Sequence, residues 1–253
     1  MIRTRVIPCL LLRGDGLYKS VKFSDYTYIG DPLNAVRIFN EKECHELVFL
    51  DITATREGRG PRFDMVKDIA GECFMPFSYG GGVHTMADIA ALLRLGVEKV
   101  VLNTAAFENP AFVREAAREY GSSTMVISLD VKKNFWGSYR VCTHGGQKVR
   151  DVDPVTQAQK MEECGAGEIF LTSVDRDGTQ QGYDISLIQS VASAVGVPVV
   201  ACGGAGKVED FGAAVHEGGA SAVAAGSLFV FYGKRRAVLI NFPSDEELRP
   251  FLA

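Results

Sequence analysis

Three aspartates stand where apolar runs end, a place from which a carboxylate can hold or move a proton. Asp51 closes the run Leu47–Asp51, and Asp130 closes Met125–Asp130 within Ser128-Leu129-Asp130-Val131-Lys132. Asp177 lies in Thr172-Ser173-Val174-Asp175-Arg176-Asp177-Gly178-Thr179. A single aspartate serves equally well as a strand-end cap or an ion-pair partner, but three on one face point to acid–base chemistry. Glycine supplies the second signal: the chain has 27 glycines in 253 residues, about 11% against a usual ~7%. Gly80-Gly81-Gly82 pairs with Asn103-Thr104, and Gly203-Gly204 pairs with Gly226-Ser227, while Gly178 follows Asp177 directly. Glycine lets a backbone approach an anion with its N–H groups turned inward, and a helix N-terminus behind it adds a favourable dipole. One such cluster is equally well a tight turn. Two symmetric clusters, each with a hydroxyl residue, point to an elongated ligand carrying two phosphates.

The elements that must position these residues follow a regular alternation. Apolar or β-branched runs predict strands at Val6–Leu12, Leu47–Asp51, Pro76–Tyr79, Lys99–Leu102, Met125–Asp130, Glu168–Thr172, Pro198–Cys202 and Ser221–Ala225. Most are continuously apolar, as strands covered on both faces must be. Helical patterns follow at Pro32–Glu43, Phe63–Gly71, Thr85–Leu95, Pro110–Tyr120, Pro154–Cys164, Ile185–Ala194, Lys207–Glu217 and Ser244–Leu252. Asp31-Pro32, Asn109-Pro110 and Asp153-Pro154 each put a capping side chain before a proline at the first helical position. Eight βα units in this length predict one α/β domain over residues 1–253, a (β/α)8 TIM barrel, in preference to an open doubly wound sheet.

An internal repeat supports closure. Tyr79-Gly80-Gly81-Gly82 and Cys202-Gly203-Gly204-Ala205 stand 123 residues apart, and Gly96, Val100, Asn103 and Thr104 map at the same offset onto Gly219, Val223, Gly226 and Ser227. Two half-barrels therefore place related sites on opposite sides of one mouth. The same symmetry pairs Asp130 with Leu11, and a leucine transfers no proton. The longest connection, Val131–Asp153, reads as a hairpin inserted after the fifth strand.

Composition excludes several function classes. Lys plus Arg number 27 against 31 Asp plus Glu, a net charge of −4, and no run of one sign suggests a nucleic-acid or anionic-membrane partner. No apolar stretch is long enough to span a bilayer, and the N-terminus lacks a signal-peptide core. The six cysteines show no C-x-x-C spacing, so reduced thiols and a cytoplasmic location are expected, with no metal and no cofactor.

From Arg3 to Phe231 the chain resembles the cyclase subunit of imidazole glycerol phosphate synthase. The matching segments are Arg5–Leu10, Glu46–Ala54, Gly80-Gly81-Gly82, Lys99 with Asn103–Ala106, Gly165–Gly182 and Cys202–Lys207. A sibling family, the phosphoribosyl isomerase of histidine synthesis, shares the two-phosphate barrel but not Asp175-Arg176-Asp177-Gly178 in this form. The resemblance implies a glutaminase partner on the amino-terminal face of the strands, with ammonia passing through the barrel. It also implies a gate of Arg5, Glu46, Lys99 and Glu168, the positions at the starts of strands one, two, four and six. It assigns Lys19 to a mobile first loop over Gly14–Tyr28. Of the two aspartates the family uses in ring closure, Asp130 matches and the position of Leu11 does not. The segment Tyr232-Gly233-Lys234-Arg235-Arg236 departs from the family pattern. Gate retained and one acid lost resembles the paralogous barrels of surface-polysaccharide synthesis, which pass ammonia to a sugar amidotransferase. The alternatives are a working cyclase, with Asp130 acting beside Asp177 or Asp51, and a phosphosugar isomerase that leaves the gate charges without a role.

Overall fold

Each of the eight apolar runs forms a parallel strand: β1 (Arg5–Arg13), β2 (Leu47–Asp51), β3 (Phe77–Gly80), β4 (Lys99–Leu102), β5 (Met125–Lys133), β6 (Glu168–Ser173), β7 (Val199–Cys202) and β8 (Ala222–Ala225). In this computed structural model, which describes residues 4–233 and 235–252, consecutive strands pair in parallel, and β8 with β1 completes a closed barrel. Arg3, where the resemblance begins, and Lys234 lie outside the described residues.

Closure explains why the runs are apolar throughout. Alternate residues of a strand face opposite sides of the sheet, so Val6, Leu10, Phe49, Ile127 and Leu171 pack outward under the helices. Ile7, Cys9, Leu11, Val48, Val101, Val126, Phe170, Val200, Ala222 and Ala224 fill the inside. The helices begin where the caps require. Asp31 accepts from the backbone of Asn34, Asp153 from Val155 and Thr156, and Thr85 with Asp88 forms a reciprocal capping box.

The half-barrel repeat is visible in the backbone. Gly81 and Gly204 have φ of +112° and +116°, and Asn103 (φ −117°, ψ −83°) matches Gly226 (φ −115°, ψ −68°). Equivalent residues 123 apart thus turn the chain in the same way.

Four features depart from the expectations. The segment 14–28, expected as a loop, is an antiparallel pair, Gly16–Val21 against Ser24–Gly30, with the first of these strands laid on the end of β1. β5 runs on to Lys133 because the inserted strand Tyr139–Thr143 pairs with its end. Short helices Ala54–Glu57, Thr104–Glu108 and Ser227–Val230 follow β2, β4 and β8. The helix expected over Lys207–Glu217 begins at Glu209 and widens into a π turn over Ala213–Glu217.

Candidate functional site

The carboxyl ends of the strands surround one cavity. Asp51, Asp130, Asp177 and Lys19 line it, as do Gly81, Gly82, Asn103, Thr104, Gly178, Gly203, Gly204, Gly226 and Ser227. The residues singled out as acid–base and anion-binding candidates are therefore neighbours in space. The two glycine turns occupy opposite sides of the mouth, after β3 and β7.

At Gly81 and Gly204 only glycine fits. Both have left-handed φ, and an added Cβ would run into the carbonyl of Asp51 in one case and of Gly182 in the other. The Asn103 amide donates to the Ser128 carbonyl at 3.0 Å and to Asp130 Oδ2 at 3.2 Å. The Thr104 hydroxyl accepts from the His144 backbone N–H at 3.0 Å. Asn103 thus holds a carboxylate in position, and Thr104 anchors the insert that follows β5.

Asp130 is buried between Ser128, 3.3 Å away, and Asn103. Burial pushes its carboxyl up to about 7, against the Ser128 hydrogen bond and with help from the Asp177 charge. A carboxyl with a pKa near neutrality can both give and take a proton. Asp177 accepts from Ser20 Oγ at 2.7 Å and from the Phe23 N–H at 3.4 Å, and burial raises it too. Both contacts come from the hairpin 16–30, which is thereby tied to the end of β6. Gly178 permits that closure, since a Cβ there would strike the Ser20 carbonyl.

Lys19 is buried and donates to the Cys9 carbonyl. A Cβ on Gly226 would land on Lys19 Nζ. Gly226 therefore makes room for an ammonium group, a role distinct from the anion cradle expected of it. Asp51 is differently placed from the other two acids. Arg59 grips it through two nitrogens at 2.7 and 3.0 Å, and Thr53 and Ala54 donate to it as well. This pairing ties the β2 turn together. Leu11 lines the same cavity, so the position symmetry-related to Asp130 is apolar.

At the other end of the barrel the four gate candidates form a closed ring. Arg5 bridges Glu46 at 2.5 Å and also Glu168, while Lys99 bridges Glu168 at 2.9 Å and Glu46 at 3.4 Å. Each acid thus touches both bases. Ser78 Oγ donates to Glu46 at 3.3 Å. Between ring and cavity lie the inward residues of the barrel, mostly apolar, with Ser78, Ser128 and Thr172 as the buried hydroxyls among them.

Sequence reasoning missed several participants. Ser20 and Phe23 were hidden because the hairpin carrying them was not foreseen. Cys9 and Cys202 meet in the cavity wall, where the hydrogen bond with Cys202 and the nearby Lys19 ammonium hold the Cys9 thiol below its ordinary value. Their inward position, Cys9 midway along β1 and Cys202 at the end of β7, was the available signal. Among the described residues no group of three His, Cys, Asp or Glu is placed to hold a metal ion, and no helix is long and apolar enough to cross a membrane.

Fold and site together define a two-fold (β/α)8 barrel with a ligand cavity at the carboxyl ends of its strands. The profile of the family described as "Histidine biosynthesis protein" matches residues 5–235, and the chain belongs to that family. It is 50% identical over 248 residues to a Pseudomonas aeruginosa protein provisionally named imidazole glycerol phosphate synthase subunit hisF2, covering 98% of this chain and 99% of that one. A Vibrio vulnificus protein, provisionally named subunit hisF3 of the same synthase, is 47% identical over 253 residues, covering 100% of this chain and 97% of its own. The imidazole glycerol phosphate synthase subunit HisF of Hyphomonas neptunium is 47% identical over 231 residues, 91% of each chain.

Proposed function

We propose that this barrel accepts ammonia from a glutaminase docked on the amino-terminal face of its strands and delivers it, in the cytoplasm, for amidation of a nucleotide-linked sugar in surface-polysaccharide synthesis. The observation that carries the reading is a conjunction: the ion-pair ring is complete, yet Leu11 stands opposite Asp130. The ring closes the barrel floor with two acids and two bases that neutralise one another. Above it, an interior rich in apolar side chains favours neutral ammonia over ammonium, because an unpaired charge there is costly. The glycine turns after β3 and β7 suit a small ligand with a phosphate at each end, held across the mouth. Leu11 removes the second proton-transfer group that ring closure would use.

A second reading, a working cyclase making imidazole glycerol phosphate and the aminoimidazole carboxamide ribotide, is favoured by one observation. Asp130 is pushed up to about 7 with Asp177 beside the same cavity, so one acid–base group is poised at neutral pH.

The ammonia route is tested by capturing a glutaminase on the immobilised barrel and measuring glutamine hydrolysis. Arg5→Ala and Lys99→Ala are expected to weaken capture and to uncouple hydrolysis from ammonia delivery. Capture and coupling unchanged in both variants would overturn the gate assignment.

A further inference from the structure

Beside the main cavity, where β1 and β2 end, the surface forms an open hollow lined by Arg13, Tyr18, Thr53, Arg56, Glu57 and Gln147. The carboxylates around it are already taken. Arg59 binds Asp51 at 2.7 Å and Glu57 at 2.6 Å, and Arg62 binds Asp15 at 2.5 Å. That leaves Arg13 and Arg56 with no carboxylate within 4 Å among the described residues. Arg13 is nonetheless held in place: its guanidinium lies over the rings of Tyr18 and Tyr26, at 5.5 and 5.0 Å from their centroids. Stacking of this kind fixes the plane of the guanidinium while leaving its edge N–H groups free to donate. Arg56 lines both the hollow and the main cavity and so stands between the two spaces.

The geometry points to an oxyanion subsite on the rim, formed by Arg13 and Arg56 with the Gln147 amide beside them, that takes the phosphate or diphosphate group of a small ligand. Two guanidinium groups lining one hollow, neither with a carboxylate partner among the described residues, suit a phosphate better than a neutral group. The subsite is separate from the two glycine turns, which lie after β3 and β7, so it supplies a third anion position. A ligand occupying all three would project a phosphorylated arm out of the mouth toward the end of β1. The inference does not rest on the ammonia reading, because it concerns binding alone.

Phenylglyoxal modification of arginines, read residue by residue by mass spectrometry, tests it. Saturating inorganic pyrophosphate is expected to slow modification of both Arg13 and Arg56 about tenfold, by mass action on the free protein. Arg118, exposed on the helix Pro110–Tyr120, should react at an unchanged rate. Stronger protection by pyrophosphate than by orthophosphate would identify a diphosphate; equal protection would identify a single phosphate. Arg13→Gln is expected to raise the pyrophosphate concentration needed to protect Arg56. Protection of Arg56 alone, with Arg13 unaffected, would put the anion in the main cavity and overturn the rim subsite, as would no protection of either.

Discussion

Replacing Asp130 by asparagine should change how stability depends on pH. Burial holds the Asp130 carboxyl at about 7 in the folded chain, against about 3.9 when unfolded. A group whose folded value is raised binds its proton more tightly when folded. Folding is therefore favoured at low pH, and that advantage is lost as pH climbs from the unfolded value through the folded one. The gap corresponds to about 4 kcal/mol, at ~1.4 kcal/mol for each pH unit. Asparagine keeps the shape and carries no titrating proton. The variant should resemble the parent near pH 4 and gain on it steadily, reaching an advantage of about 4 kcal/mol by pH 8. Asp177 is raised as well, but it is present in both proteins and its contribution largely cancels. Urea unfolding of the two proteins at half-unit steps from pH 4.5 to 8 reads the difference directly. A difference that stays constant across the range would refute the claim that burial holds this carboxyl near neutrality.

Other consequences follow from the same contacts. Lys99→Met leaves Glu46 and Glu168 facing each other with Arg5 alone, and should cost about 2–3 kcal/mol in urea unfolding at pH 7, less than the ~3–5 kcal/mol of a fully buried pair because Lys99 is partly exposed. No loss would mean the ring contributes no stability. Gly204→Ala forces a side chain into left-handed backbone and against the Gly182 carbonyl, and should cost more than 2 kcal/mol. Gly58→Ala, at φ +65° with open space around it, should cost only about 1 kcal/mol. Equal losses in thermal unfolding would show that the close approach at Gly204 does not constrain the turn. Gly204→Ala should also weaken binding of inorganic phosphate measured by calorimetry, whereas Gly58→Ala should leave it unaltered.

The barrel was legible because its strands are covered on both faces, so their apolar runs stand out and end where the structure ends them, within one residue for every barrel strand except β5. Capping aspartates before prolines marked the helix starts for the same local reason. The hairpin Gly16–Val21 and Ser24–Gly30 was not legible. Its second strand is largely exposed and carries no apolar alternation, and its pairing depends on tertiary contacts with β1 and Asp177. The helices Ala54–Glu57, Thr104–Glu108 and Ser227–Val230 are too short for a 3.6-residue period to show. Pairings across the fold were hidden too. Nothing local tells that Asp51 is gripped by Arg59, that Gly226 clears space for Lys19, or that Cys9 meets Cys202. The ring of Arg5, Glu46, Lys99 and Glu168 was foreseen as positions through the family resemblance, whereas its alternating bridges needed the closed barrel.

On the proposed function, this barrel keeps an ammonia entrance while lacking the paired acids of ring closure. The most direct measurement gives the purified protein the phosphoribulosyl-formimino precursor of imidazole glycerol phosphate with excess ammonium salt, alongside the Leu11→Asp variant. No turnover is expected from the parent chain, and measurable product is expected once a carboxylate faces Asp130. Turnover by the parent at rates typical of the cyclase family would contradict the proposed function.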